Sequence, residues 1–203
     1  MNFFSVFVLF SETKVQGVTK DFQRSLVEEF LPLTSEDKRL EALRELFIRS
    51  FDQFYREIEE KLRLIEGTTL EKWLNETFDT IEHDLLDRKS RCFILCRNDD
   101  NKEIIGFLTL SEEENNSVYI GQCAIKPEAK RRGYGAHLLQ HLRNVYPRGT
   151  TYLGLCRRAN TPAIHFYLKQ GANLMGDDEI ALKYKYDPIL YTGFQFVDKG
   201  QTM

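Results

Sequence analysis

Cys123-Ala124-Ile125-Lys126-Pro127-Glu128-Ala129-Lys130-Arg131-Arg132-Gly133-Tyr134-Gly135-Ala136-His137-Leu138-Leu139 is the stretch that decides how the chain is read. An apolar strand ends at Pro127. A basic turn with two glycines follows, and a helix marked by Leu138, Leu139, Leu142 and Val145 starts at once. The first turn of a helix carries unpaired N–H groups and the positive end of the dipole, so this order of elements makes an anion site. Gly133 and Gly135 remove side chains that would hold a phosphate away from those amides. Arg131 and Arg132 add charge, or lie solvated on the loop. Two nucleotide motifs are excluded. A Walker A loop ends in Gly-Lys-Ser/Thr, whereas Gly135 is followed by Ala136-His137. A dinucleotide fingerprint needs a third glycine where Leu138 stands. A pyrophosphate cradle of another type remains.

Further along runs Asn160-Thr161-Pro162-Ala163-Ile164-His165-Phe166-Tyr167-Leu168-Lys169-Gln170-Gly171. Together with Lys130-Arg131-Arg132-Gly133-Tyr134-Gly135, it resembles the two signatures of the GNAT acetyltransferase superfamily, in the family's order and separation. One signature reads Gln/Arg-x-x-Gly-x-Gly/Ala. The other reads Asn, Ala-Ile, an aromatic pair and Lys-x-Gly, here with Ala172 where Phe is usual. The specific match covers about residues 104–172. The Cys123-Ala-Ile strand and Arg132-Gly-Tyr-Gly-Ala-His-Leu also look like the histone-acetylating branch.

The resemblance implies acetyl-CoA as co-substrate, an amine acceptor and no metal. By the family pattern, the strand backbone through Cys123, Ala124 and Ile125 bonds the acetyl carbonyl and pantetheine arm. Amides of Arg131, Arg132, Gly133, Tyr134, Gly135 and Ala136 hold the pyrophosphate, Asn160 reaches the pantetheine, and Tyr167 protonates the departing thiolate. A phenol suits that last role, since a thiolate leaves more readily beside a proton donor. Besides Ala172, three positions depart from the pattern. Lys130 replaces Gln or Arg. Tyr119 stands where the histone branch has its Glu, four residues before Cys123. Leu155 stands where the ribosomal-protein branch has its Glu, five residues before Asn160. The usual base is therefore missing from both places. Water, an already neutral amine, or the Glu112-Glu113-Glu114 turn are the options, and a solvated hairpin tip is the plainer reading of that turn.

Outward from these motifs, Arg91–Arg97 and Ile104–Ser111 flank a turn cluster and read as a hairpin. Val118–Ile125, Tyr152–Cys156, Ile180–Tyr186 and Phe194–Val197 read as strands, and Pro162–Lys169 as a helix with Pro in its first turn. Residues 21 to about 90 read as helical, the first helix limited by Pro32. Ser35 is the expected cap of the second, whose apolar face is Leu40, Leu43, Phe47, Phe51, Phe54 and Ile58, with Gly67 as its stop. Thr68 with Glu71 reads as a capping box, ahead of the face Leu70, Trp73, Leu74, Phe78, Ile81 and Leu85. Phe3–Phe10 reads as a first strand, too short for a membrane helix and lacking a basic leader.

Composition narrows the class. The 203 residues hold 28 Lys plus Arg against 31 Asp plus Glu, a net charge of −3, so bulk attraction for nucleic acid is absent. Cys92, Cys96, Cys123 and Cys156 form no Cys-x-x-Cys pair and read as buried reduced thiols of a cytoplasmic protein. His137 and His141 read as a surface pair, not a metal edge, and Asn75 and Asn115 as unused sequons. Arg157 and Arg158 read either as phosphate contacts or as a solvated turn.

The expected fold is thus a single α/β domain over 1–203 of GNAT type, with a mixed, mostly antiparallel sheet and helices on both faces. The acceptor side is expected at about 21–90 and the acetyl-CoA core at about 91–186. The expected activity is acetyl transfer to a small or protein amine in a ternary complex. A non-catalytic acyl-CoA sensor or scaffold is the other class. Residues 35–89 hold fifteen acids against ten bases, a mild bias toward a cationic acceptor. The oligomeric state is open.

Overall fold

The computed structural model describes residues 25–32, 34–56, 59–60, 63, 67–98 and 102–198, apart from the side chains of residues 53 and 54. The expected strand Phe3–Phe10 lies outside these residues, as do the Phe54 side chain and Ile58.

The strands are β1 (Ser25–Phe30), β2 (Arg91–Arg97), β3 (Ile104–Glu113), β4 (Ser117–Ile125), β5 (Thr151–Arg157), β6 (Asn173–Leu174) and β7 (Tyr191–Val197). The helices are α1 (Lys38–Tyr55), α2 (Leu70–Leu86), α3 (Tyr134–Val145), α4 (Thr161–Lys169) and α5 (Asp177–Leu182). All strands join one sheet in the order β1-β2-β3-β4-β5-β7-β6. Every neighbouring pair is antiparallel except β4 with β5.

The period of two along β2 shows how both faces are covered. Cys92, Ile94 and Cys96 pack with Leu40, Phe47, Phe51, Leu74 and Phe78, from α1 and α2. Phe93 and Leu95 point the other way, into a core with Leu138, Leu139 and Leu142 of α3 and Tyr167 of α4. A strand buried on both sides reads as one apolar run, which explains RCFILCR. Phe47, Phe51 and Phe78 are fully buried and contribute roughly 1.5–3 kcal/mol each. The expected mixed sheet with helices on both faces is what the protein builds.

Several boundaries differ from expectation. The segment before Pro32 is β1 and not a helix: Val27 and Phe30 face inward, and all six residues pair with β2. The cap of α1 is Asp37, not Ser35. Its carboxylate accepts from Arg39 N at 2.9 Å and also takes the Arg39 guanidinium. The cap of α2 is Thr69, one residue later than the expected box, accepting from Lys72 N at 3.2 Å. Helix α1 ends at Tyr55, well before Gly67, whose N–H donates to Arg63 O and whose φ is +63°. The expected strand Ile180–Tyr186 is instead α5 and its exit. Three acids open that helix, which suits its dipole. Its alternating apolar residues find no strand to pair with, because β7 already lies between β5 and β6.

Candidate active site

The centre of the sheet is built to open. In the β3–β4 ladder, Thr109 faces Gln122 but Leu110 faces Ile120, so Gly121 is an extra residue, a β-bulge. Gln122 N donates to Thr109 Oγ1 at 2.8 Å, and a Cβ on Gly121 would sit 3.0 Å from that oxygen, so the crowded bulge favours glycine. Beyond the bulge β4 leaves β5. The parallel pairing covers only Ser117–Tyr119 with Thr151–Leu153, although β4 runs on to Ile125 and β5 to Arg157. Strand β5 stays on β7 along its whole length. A wedge therefore opens between the arms 120–125 and 154–157. Lys126 N donates to Ile105 O, and Gln122 N donates back to Thr109, so by alternation Cys123 and Ile125 turn their amides toward the wedge. Ser50 Oγ of α1 reaches the same strand end and donates to Ile125 O at 3.3 Å.

The basic loop leaves β4 at this point. A short 3₁₀ turn, Pro127–Ala129, leads to Arg131 at φ +65° and Gly133 at φ +84°. Left-handed residues of this kind fold backbone amides into anion-binding concavities. Helix α3 begins on Gly133 with no side-chain cap, whereas Asp37, Thr69 and Asn160 cap α1, α2 and α4. The first turn of a helix is where backbone N–H groups meet anions, and no side chain caps this one. Arg131, Arg132 and Gly133 are exposed, and Tyr134 and Gly135 are buried. Lys130 is half-buried, and desolvation pushes its ammonium below the usual lysine range.

Asn160 and Tyr167 meet the wedge from α4. Asn160 is fully buried; its Oδ1 accepts from Ala163 N at 3.2 Å, and its Nδ2 has no partner among the described residues. Tyr167 is fully buried, and its Oη has no partner among the described residues either. Burial pushes the phenol well above the usual phenol range, and Cys123, Cys156 and Tyr119 push it the same way. The hydroxyl thus lies within electrostatic reach of both arms of the wedge and stays protonated at neutral pH. A buried polar group without a partner costs about 1–3 kcal/mol. Two of them on one helix beside an opened strand pair fit a polar, extended ligand arm.

Of the residues singled out in the sequence, Cys123, Ala124, Ile125, Asn160 and Tyr167 come together at the wedge. Arg131, Arg132, Gly133, Tyr134, Gly135 and Ala136 form the loop and helix start that follow it. Glu112 is held away from the wedge: it accepts from Tyr146 Oη at 3.3 Å and pairs with Arg91 at 3.6 Å, whereas Glu113 lies within electrostatic reach of Tyr119. Tyr119 and Leu155 are buried in the apolar core. Among the described residues Asp198 is the one buried carboxylate, and it adjoins Gly149 and Thr150 at the closed end of β5. His137 and His141 are half-buried, and His141 packs on Phe93, so they are not the surface pair expected. Arg158 does lie on an exposed turn, tied to Asp177 and Pro188 O. Arg157 fits neither expectation: it is only 4% exposed, among Tyr55, Trp73 and Tyr191. The bulge at Gly121 went unread, although a glycine inside a strand was its signal. Tyr55, Trp73 and Tyr191 left no local signal, because they converge from three elements.

A sheet that parts between its one parallel pair, beside a helix begun on glycine, defines the acyl-CoA N-acyltransferase class of α/β fold. The model of the Acetyltransferase (GNAT) family matches residues 40–172, more than half of the chain, and the chain belongs to that family of acyltransferases. That match starts in α1, well before the span in which the two signatures are legible. Solved structures share the fold. The PaiA N-acetyltransferase of Thermoplasma acidophilum, in complex with coenzyme A, is 17% identical with a TM-score of 0.61, over 85% of this chain and 99% of that one. The ribosomal-protein-S18-alanine N-acetyltransferase of Escherichia coli is 16% identical with a TM-score of 0.55, over 88% and 98%. An acetyltransferase of Streptococcus agalactiae is 15% identical with a TM-score of 0.59, over 87% and 99%. No curated protein matches the sequence. Among the described residues no helix is long and apolar enough to cross a membrane.

Proposed function

We propose that the protein moves the acetyl group of acetyl-CoA to a primary amine, in one step within a ternary complex, as a single cytoplasmic domain. The observation that carries this reading is the pair of buried groups, Asn160 Nδ2 and Tyr167 Oη, that have no hydrogen-bond partner among the described residues and lie beside a strand end that has left its neighbour. Coenzyme A in the Thermoplasma acidophilum relative supports the choice of donor.

Acetyl-CoA supplies an activated acyl carbon on a thiolate leaving group. The chain's residues do the rest. Backbone amides from Arg131 to Ala136, with the Arg131 and Arg132 charges, hold the pyrophosphate. The Cys123–Ile125 backbone takes the pantetheine arm as it would take a strand, and an N–H aimed into the wedge stabilises charge on the carbonyl oxygen. Asn160 Nδ2 donates to the pantetheine. The amine lone pair forms the C–N bond, and the C–S pair leaves on sulfur. Tyr167 Oη gives its proton to that sulfur. The amine's spare proton passes to water, since the two positions where a base is expected hold Tyr119 and Leu155, both in the apolar core.

Mass analysis of a mixed panel of amines and peptides after incubation with acetyl-CoA tests the reading. An acetylated acceptor is expected. The carboxylate-free positions 119 and 155 favour a second reading, an acyl-CoA sensor, which predicts binding of acetyl-CoA with no acetylated acceptor.

A further inference from the structure

Among the described residues, strand β4 keeps one strand neighbour along its second half. Its pairing with β3 runs on to Ile125, whereas its pairing with β5 ends at Tyr119. In an antiparallel ladder a residue turns its N–H and its C=O to the same edge. Lys126 N donates to Ile105 O, so Ile125 turns both of its groups the other way, to the edge that β5 has left. Backbone groups on such an edge need partners from elsewhere.

Ser50 supplies one. It lies near the end of α1 and is fully buried, and its Oγ donates to Ile125 O at 3.3 Å. A serine inside a helix commonly bonds back to its own preceding turn. Here the hydroxyl reaches another element, while Phe47 and Phe51 of the same helix pack with Ala124 of β4. Packing alone asks for no oxygen at this place, because alanine has nearly the same volume, suits a helix better and buries no polar group. The peptide group that joins Ile125 to Lys126 is thus held at both ends. Its N–H donates to Ile105 O at 2.9 Å, and its C=O accepts from Ser50.

That peptide is a joint. Before it runs Cys123–Ile125, the edge that takes the pantetheine arm in the reading above. After it come the 3₁₀ turn Pro127–Ala129 and the loop to Gly133, on which α3 begins. A ligand that spans both parts gains from their fixed separation, since its second half binds at the effective concentration that the first half sets. A ligand that touches one part gains nothing from it.

We propose that Ser50 is a positioning residue of the donor site: from α1 it fixes the joint between the pantetheine edge and the pyrophosphate loop, and so sets how tightly coenzyme A is held. The inference rests on the acetyl-CoA reading above and adds to it a residue of the helical layer expected to serve the acceptor.

Calorimetric titration of the full chain with CoA and with 3′-phospho-ADP, its pantetheine-free part, tests this. Wild type is expected to bind both. In Ser50→Ala the dissociation constant for CoA should rise about three- to tenfold, the scale of one net hydrogen bond, while that for 3′-phospho-ADP stays within about twofold. Ser50→Thr keeps the hydroxyl and should hold the CoA constant near wild type. In turnover, Ser50→Ala should raise KM for acetyl-CoA with kcat little changed, since the arm is held alike in ground and transition states. An unchanged CoA constant in Ser50→Ala would overturn the inference and leave the donor reading standing. So would equal weakening of both ligands, the mark of a side chain that only supports the fold. Should Ser50→Ala fail to fold, Ser50→Cys, close in shape and a weak donor, carries the same comparison. Failure of CoA to bind the wild type removes the donor reading and this inference with it.

Discussion

Tyr167 lies face to face with Phe194 of β7, ring centres 3.5 Å apart and planes 15° from parallel. The stack fixes the phenol ring through its flat face and leaves its hydroxyl at the wedge, where no described residue bonds it. Packing and chemistry are thereby divided within one side chain: the ring serves the core, and the oxygen serves the site.

The raised phenol has a consequence for pH. A general acid that titrates well above 10 stays protonated through the working range. The maximal rate should show no falling limb from Tyr167 between pH 7 and 9.5, and any rise there reports loss of the amine's proton. A rate that falls with a midpoint near 8 in a pH-rate profile would give the proton to another group.

Alkali should act on stability instead. Burial pushes the Cys123 and Cys156 thiols up to about 12 and Cys96 up to about 11, from an ordinary 9.0. Above pH 9 the unfolded chain then holds fewer protons than the native one, so stability falls as pH rises. Their contribution is fully present below pH 9 and is lost progressively as pH climbs from 9 toward 12. Thermal melts in matched salt from pH 8 to 11 should show a steady decline, shallower in Cys96→Ala. A flat profile would mean that these thiols reach solvent.

Ligand binding at the loop is separable from catalysis. A ligand that binds only the native state at ~100 times its dissociation constant adds roughly 2.7 kcal/mol. Melting temperature should rise most with acetyl-CoA, less with CoA and least with adenosine. Gly135→Glu places a carboxylate at the start of α3 and should erase the rise while its own unliganded melt stays cooperative. Equal shifts in wild type and variant would move the pyrophosphate elsewhere.

The fold was legible where a local pattern meets a local cause. The apolar run of β2, the Gly133–Gly135 helix start and the Asn160 cap are each set by neighbours in sequence. Most of the wedge was legible too, since both signatures carry their own residues to it. What escaped depended on distance. Ser25–Phe30 becomes a strand because β2 offers an edge 62 residues away in the Glu29–Arg91 pair. Ile180–Tyr186 alternates like a strand but finds β7 already paired on both sides. Arg157 reads as a phosphate contact or a solvated charge until Tyr55, Trp73 and Tyr191 close around it.

The acidic turn offers a test of the missing base. Glu112 is held by Arg91 and Tyr146, away from the wedge. Alanine at Glu112, Glu113 or Glu114 should each leave the maximal rate within about tenfold of wild type, below the usual span for a positioned base. A thousandfold loss in one of them, with an unchanged melt, would place the base on that turn.

Release of CoA thiol by wild type and by Tyr167→Phe, at saturating acetyl-CoA and an accepted amine, tests the account most directly. The ring and its stack on Phe194 persist in the variant, so melting temperature and acetyl-CoA affinity should barely move. Turnover should fall by roughly a hundredfold or more, in kcat and kcat/KM alike, since the proton is needed only in the transition state. Amine-dependent release at the wild-type rate in the Phe variant would contradict the assignment of Tyr167, and amine-independent release in the wild type would contradict acetyl transfer itself.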